Sequence, residues 1–302
     1  MSEQQVDSAG GGQERPRVAY QGEHGAYSEE AALEIFGEAE PVPCPTLTVA
    51  FGTLASGGAE FAVVPVENSQ AGSINETYDL LLTHRGELTI RGEYDLHVHH
   101  CLLALPEDDP ATIKQALSHP QALAQSARFL ASRGLEPVPS GDTAGSARLI
   151  REGQLYGRAA VAGRRAAEFY GLRILAENIE DNPYNFTKFI VLSRSTDPPL
   201  LDPRPSTLDL RPMKTSLVFV TLNVPGALHH ALGALAEGGL NLTKIESRPA
   251  RQRPWDYYFY ADVEGDAAEP SCRAALDELE RRSTFLAILG SYPVLRSANP
   301  RG

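Results

Sequence analysis

Pro198, Pro199, Pro203, Pro205 and Pro212 crowd one stretch of the chain and leave it few residues that could build a core. Proline fixes φ and removes a backbone donor, so neither a helix nor the centre of a sheet is expected to run through it. The stretch divides the chain into independent parts. The expected organisation is a unit at 17–195, a proline-rich linker at 196–213 and a smaller unit at 214–296, with tails at 1–16 and 297–302. A length of 302 residues suits two or three compact units. The first tail is made of Gly, Gln, Glu and Ser without an apolar segment, and reads as disordered rather than as a signal peptide.

Ahead of the linker, apolar strands, turns and helices follow one another. A strand at 17–20 enters a loop with Gly22 and Gly25, then a helix over 29–36. A helix over 47–54 precedes the apolar strand 61–64. Strand character follows at 93–105 and 159–162, and helices at 118–133, 142–150 and 164–170. This alternation implies an α/β fold with a largely parallel sheet. Ligands of such folds gather at strand C-terminal ends, where loops and helix N-termini present backbone N–H groups. Loop 21–28 stands at one such end, although its glycines lack the spacing of a nucleotide fingerprint. Loop 65–74 stands at another and carries Glu67, Asn68, Ser69 and Ser73. Ser73 and Glu76 also have the spacing of a capping box for a helix through 82, and Asp142 is a candidate N-cap.

Beyond the linker the pattern is strand 217–224, helix 227–237, strand 240–246, strand 257–263, helix 271–281 and strand 285–289. Leu228, Leu232 and Leu235 share one face of the first of these helices. The order βαββαβ is the ferredoxin-like split unit, which by itself carries no function.

The formal net charge of −12 argues against nucleic acid and anionic membrane, since both require a basic face. No apolar run approaches the roughly 20 residues that span a bilayer. Cys44, Cys101 and Cys272 are odd in number and far apart. They suggest neither a disulfide framework nor a zinc site, and a reducing cytoplasm is the expected compartment. His97, His99, His100 and Cys101 are of metal-ligand type, but the sequence places no carboxylate beside them. The expectation is an exposed strand face without a metal.

The polar turn at 180–183 runs straight into Phe186, Thr187, Lys188 and Phe189, then into apolar 190–192. Alternation puts Phe186 and Lys188 on one side of this strand and Thr187 and Phe189 on the other. A lone ammonium and a hydroxyl at the mouth of a buried strand are costly unless they meet a partner. Either the strand is an ordinary edge with a solvated lysine, or these side chains face a ligand together with the upstream polar loops.

Laid side by side, these motifs resemble those of the prephenate dehydratases over 17–292. The catalytic part is similar in Gly22, Gly25, Tyr27 and Ser28, and in Pro65, Glu67, Asn68, Ser69, Gly72 and Ser73. It is similar again in Ser118, His119, Pro120 and Gln121, in Asp142, Thr143 and Ala144, and in Asn185, Thr187, Lys188 and Phe189. The C-terminal unit resembles their ACT regulatory domain in Gly226, Ala227 and Leu228, and in Asn241, Leu242, Thr243, Lys244, Ile245, Glu246, Ser247, Arg248 and Pro249. Lys188 stands where the family usually has Arg, and loses the planar fork that grips a carboxylate twice. Glu23 replaces a frequent Pro, and Ala26 replaces a frequent hydroxyl residue. The Gly25, Ala26, Tyr27, Ser28 form also looks like the plant arogenate dehydratases. No chorismate mutase helix is expected before Arg17, so the resemblance is to a monofunctional enzyme.

The resemblance implies a two-lobed catalytic region like a periplasmic binding protein, with lobes at 17–93 plus 177–195 and at 94–176, followed by the ferredoxin-like ACT domain. The implied reaction takes prephenate to phenylpyruvate with loss of water and carbon dioxide, without cofactor or metal. It implies catalytic roles for Thr187, Lys188, Glu67, Asn68 and Ser69. Lys188 is assigned to a substrate carboxylate. The proton donor is Thr187 by resemblance, or Glu67 if burial and nearby carboxylates raise its pKa. Tyr27, Ser28, Gly72, Ser73, His119, Gln121, Asp142, Thr143, Ala144, Asn185 and Phe189 are expected to bind or wall the substrate. L-phenylalanine is expected at Gly226, Ala227, Leu228, Asn241, Leu242, Thr243, Glu246, Ser247, Arg248 and Pro249, between two copies of the chain in a dimer or tetramer. Arogenate as substrate, or a non-catalytic module that senses an amino acid, are the alternatives.

Overall fold

The computed structural model describes residues 15–197, 208–250 and 256–297. Most of the expected N-terminal tail and of the proline-rich stretch, and nearly all of the C-terminal tail, lie outside these residues. The first lobe contains β1 (Arg17–Gln21), α1 (Tyr27–Phe36), β2 (Glu40–Cys44), α2 (Leu47–Ala55), β3 (Phe61–Asn68), β4 (Gly72–Ser73), α3 (Asn75–Thr83) and β5 (Leu88–His97). The second contains β6 (Cys101–Ala104), β7 (Gln115–Ser118), α4 (Pro120–Gln125), α5 (Ala127–Ser132), β8 (Glu136–Pro139), α6 (Thr143–Glu152), β9 (Arg158–Ala162), α7 (Arg164–Tyr170) and β10 (Arg173–Ala176). The chain then returns to the first lobe as β11 (Phe186–Arg194).

The first lobe's strands run β5-β11-β3-β1-β2 and the second's β10-β6-β9-β7-β8. Two lobes joined by two crossings is the periplasmic-binding-protein arrangement. The first crossing lies at 98–100, not at Glu93 and Tyr94 as expected, because β5 keeps its pairing with β11 as far as His97. The continuous strand expected over 93–105 is therefore two strands in different sheets. The helix expected over 118–133 is also two, broken at Ser126.

Thr46 caps α2 through Val49 N, and Asp142 caps α6 through Gly145 N, as N-cap residues should. The capping box at Ser73 and Glu76 does not form. Ile74 is the N-cap of α3, Ser73 bonds elsewhere, and Glu76 accepts from Thr48 Oγ1.

The third unit is β12 (Leu208–Val220), α8 (Ala227–Glu237), β13 (Leu242–Pro249), β14 (Tyr257–Glu264), α9 (Pro270–Arg281) and β15 (Phe285–Ser297), with strand order β13-β14-β12-β15. β12 begins inside the stretch expected as linker. It accommodates Pro212 because its pairing with β15 skips from Leu210 to Met213, and a proline lacks only the ladder donor that such an irregularity makes unnecessary.

The unit is also not independent of the first lobe. Beyond the expected end of its last strand, β15 runs parallel to β5, pairing Val294 with Glu93 and Leu295 with Tyr94. One sheet thus passes through both. The helix-free face of the third unit gives Val218, Tyr260, Leu289 and Tyr292 to a core shared with Phe51, Tyr78 and Leu81. Burying side chains of this size is worth about 1.5–3 kcal/mol each, enough to hold the two together.

One half-buried acid makes the fold pH-sensitive. On α1, burial and then the charge of Glu34 push the Glu30 carboxyl up from 4.5 to about 7. The folded state then holds a proton that the unfolded chain releases, so stability is full below pH 4.5 and falls as pH rises through about 7. Glu30→Gln should therefore raise stability at pH 8 by up to about 3 kcal/mol and flatten this slope. Urea unfolding at pH 5 and pH 8 measures it, and an undiminished slope in the variant would place the ionisation elsewhere.

Candidate active site

Amide side chains meet where the lobes face each other. Asn68, at the end of β3, pairs in register with Thr187 on β11, so both side chains point to one face. Asn68 Nδ2 donates to Thr187 Oγ1 at 3.0 Å and to Asn185 Oδ1 at 3.0 Å. Asn68 Oδ1 accepts from the backbone N–H groups of Gln70 and Ala71, which fixes the turn into β4, and from Gln121 Nε2 at 3.2 Å. Gln121 belongs to the second lobe, as does Gln125, whose Oε1 accepts from Asn185 Nδ2 at 3.2 Å.

His100, 2% exposed at the first crossing, extends the network. Its Nε2 lies 2.9 Å from Gln125 Oε1 and its Nδ1 2.7 Å from Tyr27 Oη. An amide oxygen can only accept, so Nε2 carries the proton and Nδ1 accepts from the tyrosine. Burial lowers the His100 pKa and raises that of Tyr27 well above its ordinary value, which keeps both neutral. With this polarity Asn68 presents its NH2 to Thr187. The threonine oxygen is used as an acceptor, and its own O–H remains to be donated.

Other expected site residues serve this centre indirectly. Ser69 Oγ donates to Tyr184 O and accepts from Phe186 N, pinning the loop before β11. Gly72 takes φ +81 in the turn. His119 Nδ1 accepts from Gln121 N and so caps α4. Ser28 is buried in the first turn of α1. Asp142 lines an opening of about 270 Å³ between the lobes with Gln21, Gly22 and Glu23, while Ala144 is fully buried in the second lobe's core; Thr143 opens α6 between them. Phe189 is a core residue, 1% exposed, and does not wall a ligand. Gln125 and His100 were not expected at the site. The sequence signal for them is weak, namely a polar residue one helical turn beyond Gln121 and one histidine of the cluster 97–100. The carboxylate partner missing from the sequence near the histidines is Glu180, which bonds His99 Nδ1 at 2.9 Å.

Glu67 and Lys188 are not part of this centre. They pair with each other in register, one residue along from Asn68 and Thr187, and so occupy the opposite face of the sheet. Lys188 Nζ bonds Glu93 Oε1 at 2.9 Å, and Glu67 Oε2 accepts from Lys244 Nζ of the third unit at 2.6 Å. Glu67 and Lys188 line an opening of about 440 Å³ together with Ser69 and Lys244, on the face of the sheet opposite to Thr187, so the three expected residues do not share one pocket.

The expected effector residues divide in the same way. Along β13, Lys244, Glu246 and Arg248 turn toward the first lobe, where Glu246 accepts from Ser73 Oγ at 2.9 Å and Arg248 bonds Asp79 at 3.0 Å. Ser73 is thus spent at this junction and not on a substrate. Asn241, Thr243, Ser247 and Pro249 are exposed. Gly226, at φ +81, is the N-cap of α8, with Ala227 and Leu228 half-buried behind it. Leu242 packs against the core of the third unit.

A family model for prephenate dehydratase matches residues 18–197, and one for the ACT domain matches 215–281. The chain belongs to the prephenate dehydratase family. Curated relatives of this dehydratase include arogenate dehydratase 1 of Petunia hybrida, 44% identical over 294 residues, covering 92% of this chain and 67% of that protein. Arogenate dehydratase/prephenate dehydratase 2, chloroplastic, of Arabidopsis thaliana is 44% identical over 302 residues, covering 97% and 76%. Among solved structures, prephenate dehydratase of Arthrobacter aurescens in complex with L-Phe is similar at TM-score 0.79 and 32% identity, covering 91% of this chain and 89% of that one. A protein described as a quorum-quenching acylase is similar at TM-score 0.81 and 38% identity, covering 92% and 98%. Among the described residues no helix is long and apolar enough to cross a membrane. The dehydratase fold of this chain thus carries an ACT domain built into the sheet of its first lobe.

Proposed function

We propose that this chain converts prephenate to phenylpyruvate and that Thr187 supplies the hydrogen bond to the departing ring hydroxyl. The observation that carries the reading is the bond from Asn68 Nδ2 to Thr187 Oγ1, which leaves the threonine O–H as a donor in a cleft between two lobes. In the reaction the bond from the ring to its carboxylate breaks, its electron pair enters the ring, and hydroxide leaves with one added proton as water. Carbon dioxide and an aromatic ring result, with no net redox change. A threonine hydroxyl is a weak acid, so it relays or stabilises rather than gives up its proton permanently. Gln121 and Gln125 orient the substrate from the second lobe, and the buried Asn185 holds Asn68 and Gln125 in place behind them.

Arogenate is the second reading, favoured by the relatives named as arogenate dehydratases at 44% identity. The two substrates differ in a keto against an ammonium group on the side chain. Assaying the purified protein with both, side by side, distinguishes them. Turnover of neither would leave the amide network as a binding site only.

We further propose that L-phenylalanine binds the third unit and lowers turnover. The Arthrobacter relative's complex with L-Phe supports this, as do the exposed positions around Gly226, Thr243 and Ser247. Leu222 and Val224, 64% and 55% exposed, give that end an apolar surface that a second copy of the chain would cover in a dimer or tetramer. Calorimetry with L-phenylalanine is expected to show binding, and a rate titration inhibition. Absence of both would make the unit purely structural. The three cysteines are free and buried, which supports a reducing compartment such as the cytoplasm.

A further inference from the structure

Glu93 is a buried acid on β5, 2% exposed, and the reaction as read above does not use it. Its Oε1 accepts from two ammonium groups, Lys188 Nζ on β11 at 2.9 Å and Lys214 Nζ on β12 at 2.7 Å. Lys214 is itself 8% exposed. Burial alone would raise the Glu93 carboxyl, but the two lysines outweigh it and hold it below the usual range. The three charges form one linked set, which Asp95 joins at 4.0 Å from Lys188 Nζ, and removing Glu93 takes from both lysines their nearest carboxylate in a buried place.

The position of the set matters more than its strength. Lys188 adjoins Thr187, and the ladder between β11 and β3 slips between Lys188 and Phe189. At such an irregularity β11 is held less firmly to β3, while its ladder with β5, unbroken from Phe186 to Val191, holds it from the other side. A side-chain tether from β5 to Lys188 reinforces that side. Glu93 supplies that tether from β5, whose register partners on its two sides are Ile190 of β11 and Val294 of β15. It thus stands between the strand that carries Thr187 and the strand by which the ACT domain enters the sheet.

We propose that Glu93 is a positioning residue through which the ACT domain holds Thr187 in the amide network. Lys214 anchors Glu93 from the ACT side, Glu93 anchors Lys188, and Lys188 fixes the end of β11 whose opposite face carries the threonine. This assigns Lys188 a task that needs its charge and length but no contact with substrate.

The test uses the full chain. Glu93→Gln leaves two buried ammonium groups facing each other and can fail to fold. The decisive variant is therefore the triple Glu93→Leu, Lys188→Met, Lys214→Met, which removes all three charges and keeps the volume apolar. Two measurements are made on it. Amide hydrogen exchange at Thr187 and Lys188, without substrate, should quicken about ten-fold or more relative to the parent. Turnover should fall about ten-fold or more with KM changed by less than about three-fold, because positioning affects the transition state more than binding. Lys188→Arg keeps the bond to Glu93 and should retain parental exchange and turnover. Lys214→Met alone should quicken exchange at the same two amides.

Parental exchange in the triple variant would overturn the proposal, and parental exchange in Lys214→Met would remove the ACT domain from it. The proposal rests on the reading of Thr187 as the reacting hydroxyl only for the turnover measurement. If the parent turns over neither substrate, that reading fails, and the exchange data still decide whether Glu93 positions β11.

Discussion

Replacing Thr187 by alanine is expected to lower turnover by about 10²-fold or more, with little change in KM. The hydroxyl accepts from Asn68 Nδ2, and its own proton is left to be donated. Alanine removes that donor and leaves the Asn68 N–H still bonded to Asn185 and to Phe186 O, so the fold should hold. Serine at the same position keeps the donor and should recover most of the loss. Asn68→Asp is the sharper companion. A carboxylate there accepts instead of donates, turning the threonine proton away from the cleft, and should cost as much as the loss of the hydroxyl itself. Steady-state kinetics on the three variants check this. Near-parental turnover in Thr187→Ala would exclude a part for the hydroxyl in the reaction.

Gly25→Ala is expected to lower kcat/KM by about 10²-fold, for a reason of geometry. Gly25 has φ +84, and a Cβ added there would stand 2.5 Å from Ala166 Cα on α7 of the other lobe. The left-handed conformation alone costs a non-glycine residue about 1–2 kcal/mol, but backbone against backbone leaves no soft side chain to yield. The lobes must separate. The same contact is held by Glu29, 2% exposed, which accepts from Gly25 N at 2.7 Å, His24 Nδ1 at 2.9 Å and Arg165 Nε of α7 at 2.8 Å. Separating the lobes withdraws Gln121 and Gln125 from Asn68 and Asn185, and the amide network opens. Small-angle scattering should show a larger radius for the variant, and thermal unfolding should show that it remains folded. Parental kinetics in a folded Gly25→Ala would mean that the closed contact at this edge is not needed for turnover.

The local patterns that survive in the structure are those set by neighbours in the chain. Helix α8 begins after Gly226 and ends at Glu237 where the leucine face ends. Asp142 caps α6, and Gly171 stops α7 in the left-handed conformation. Each is decided within one or two helical turns, so the sequence carries it in full. The order βαββαβ and the alternation of the lobes follow from the same local signals, and so does the alternation of Thr187 and Lys188 across β11. The residues of the amide network were also largely legible, because Asn68, Gln121, Asn185 and Thr187 belong to motifs that resemble a known family.

Partners distant in the chain were not legible. That Glu67 finds Lys244, that Lys188 and Lys214 share Glu93, and that Glu246 and Arg248 turn from the effector face to Ser73 and Asp79 depends on where the ACT domain docks. Docking is set by β15 running past its own unit to pair with β5, and by a core shared between Val218, Tyr260 and Tyr78. A proline-rich stretch in sequence says only that two units are separately wound. The edge of β5 left open by the first lobe decides that they meet, because an unpaired strand edge is stabilised by the next strand that fits it. Two α/β lobes, an ACT domain and a threonine with amide neighbours follow from the residues alone. The tertiary structure decided which face of β11 does chemistry and which is held by the ACT domain, since alternation assigns side chains to two faces but only the packed neighbours say what each face meets.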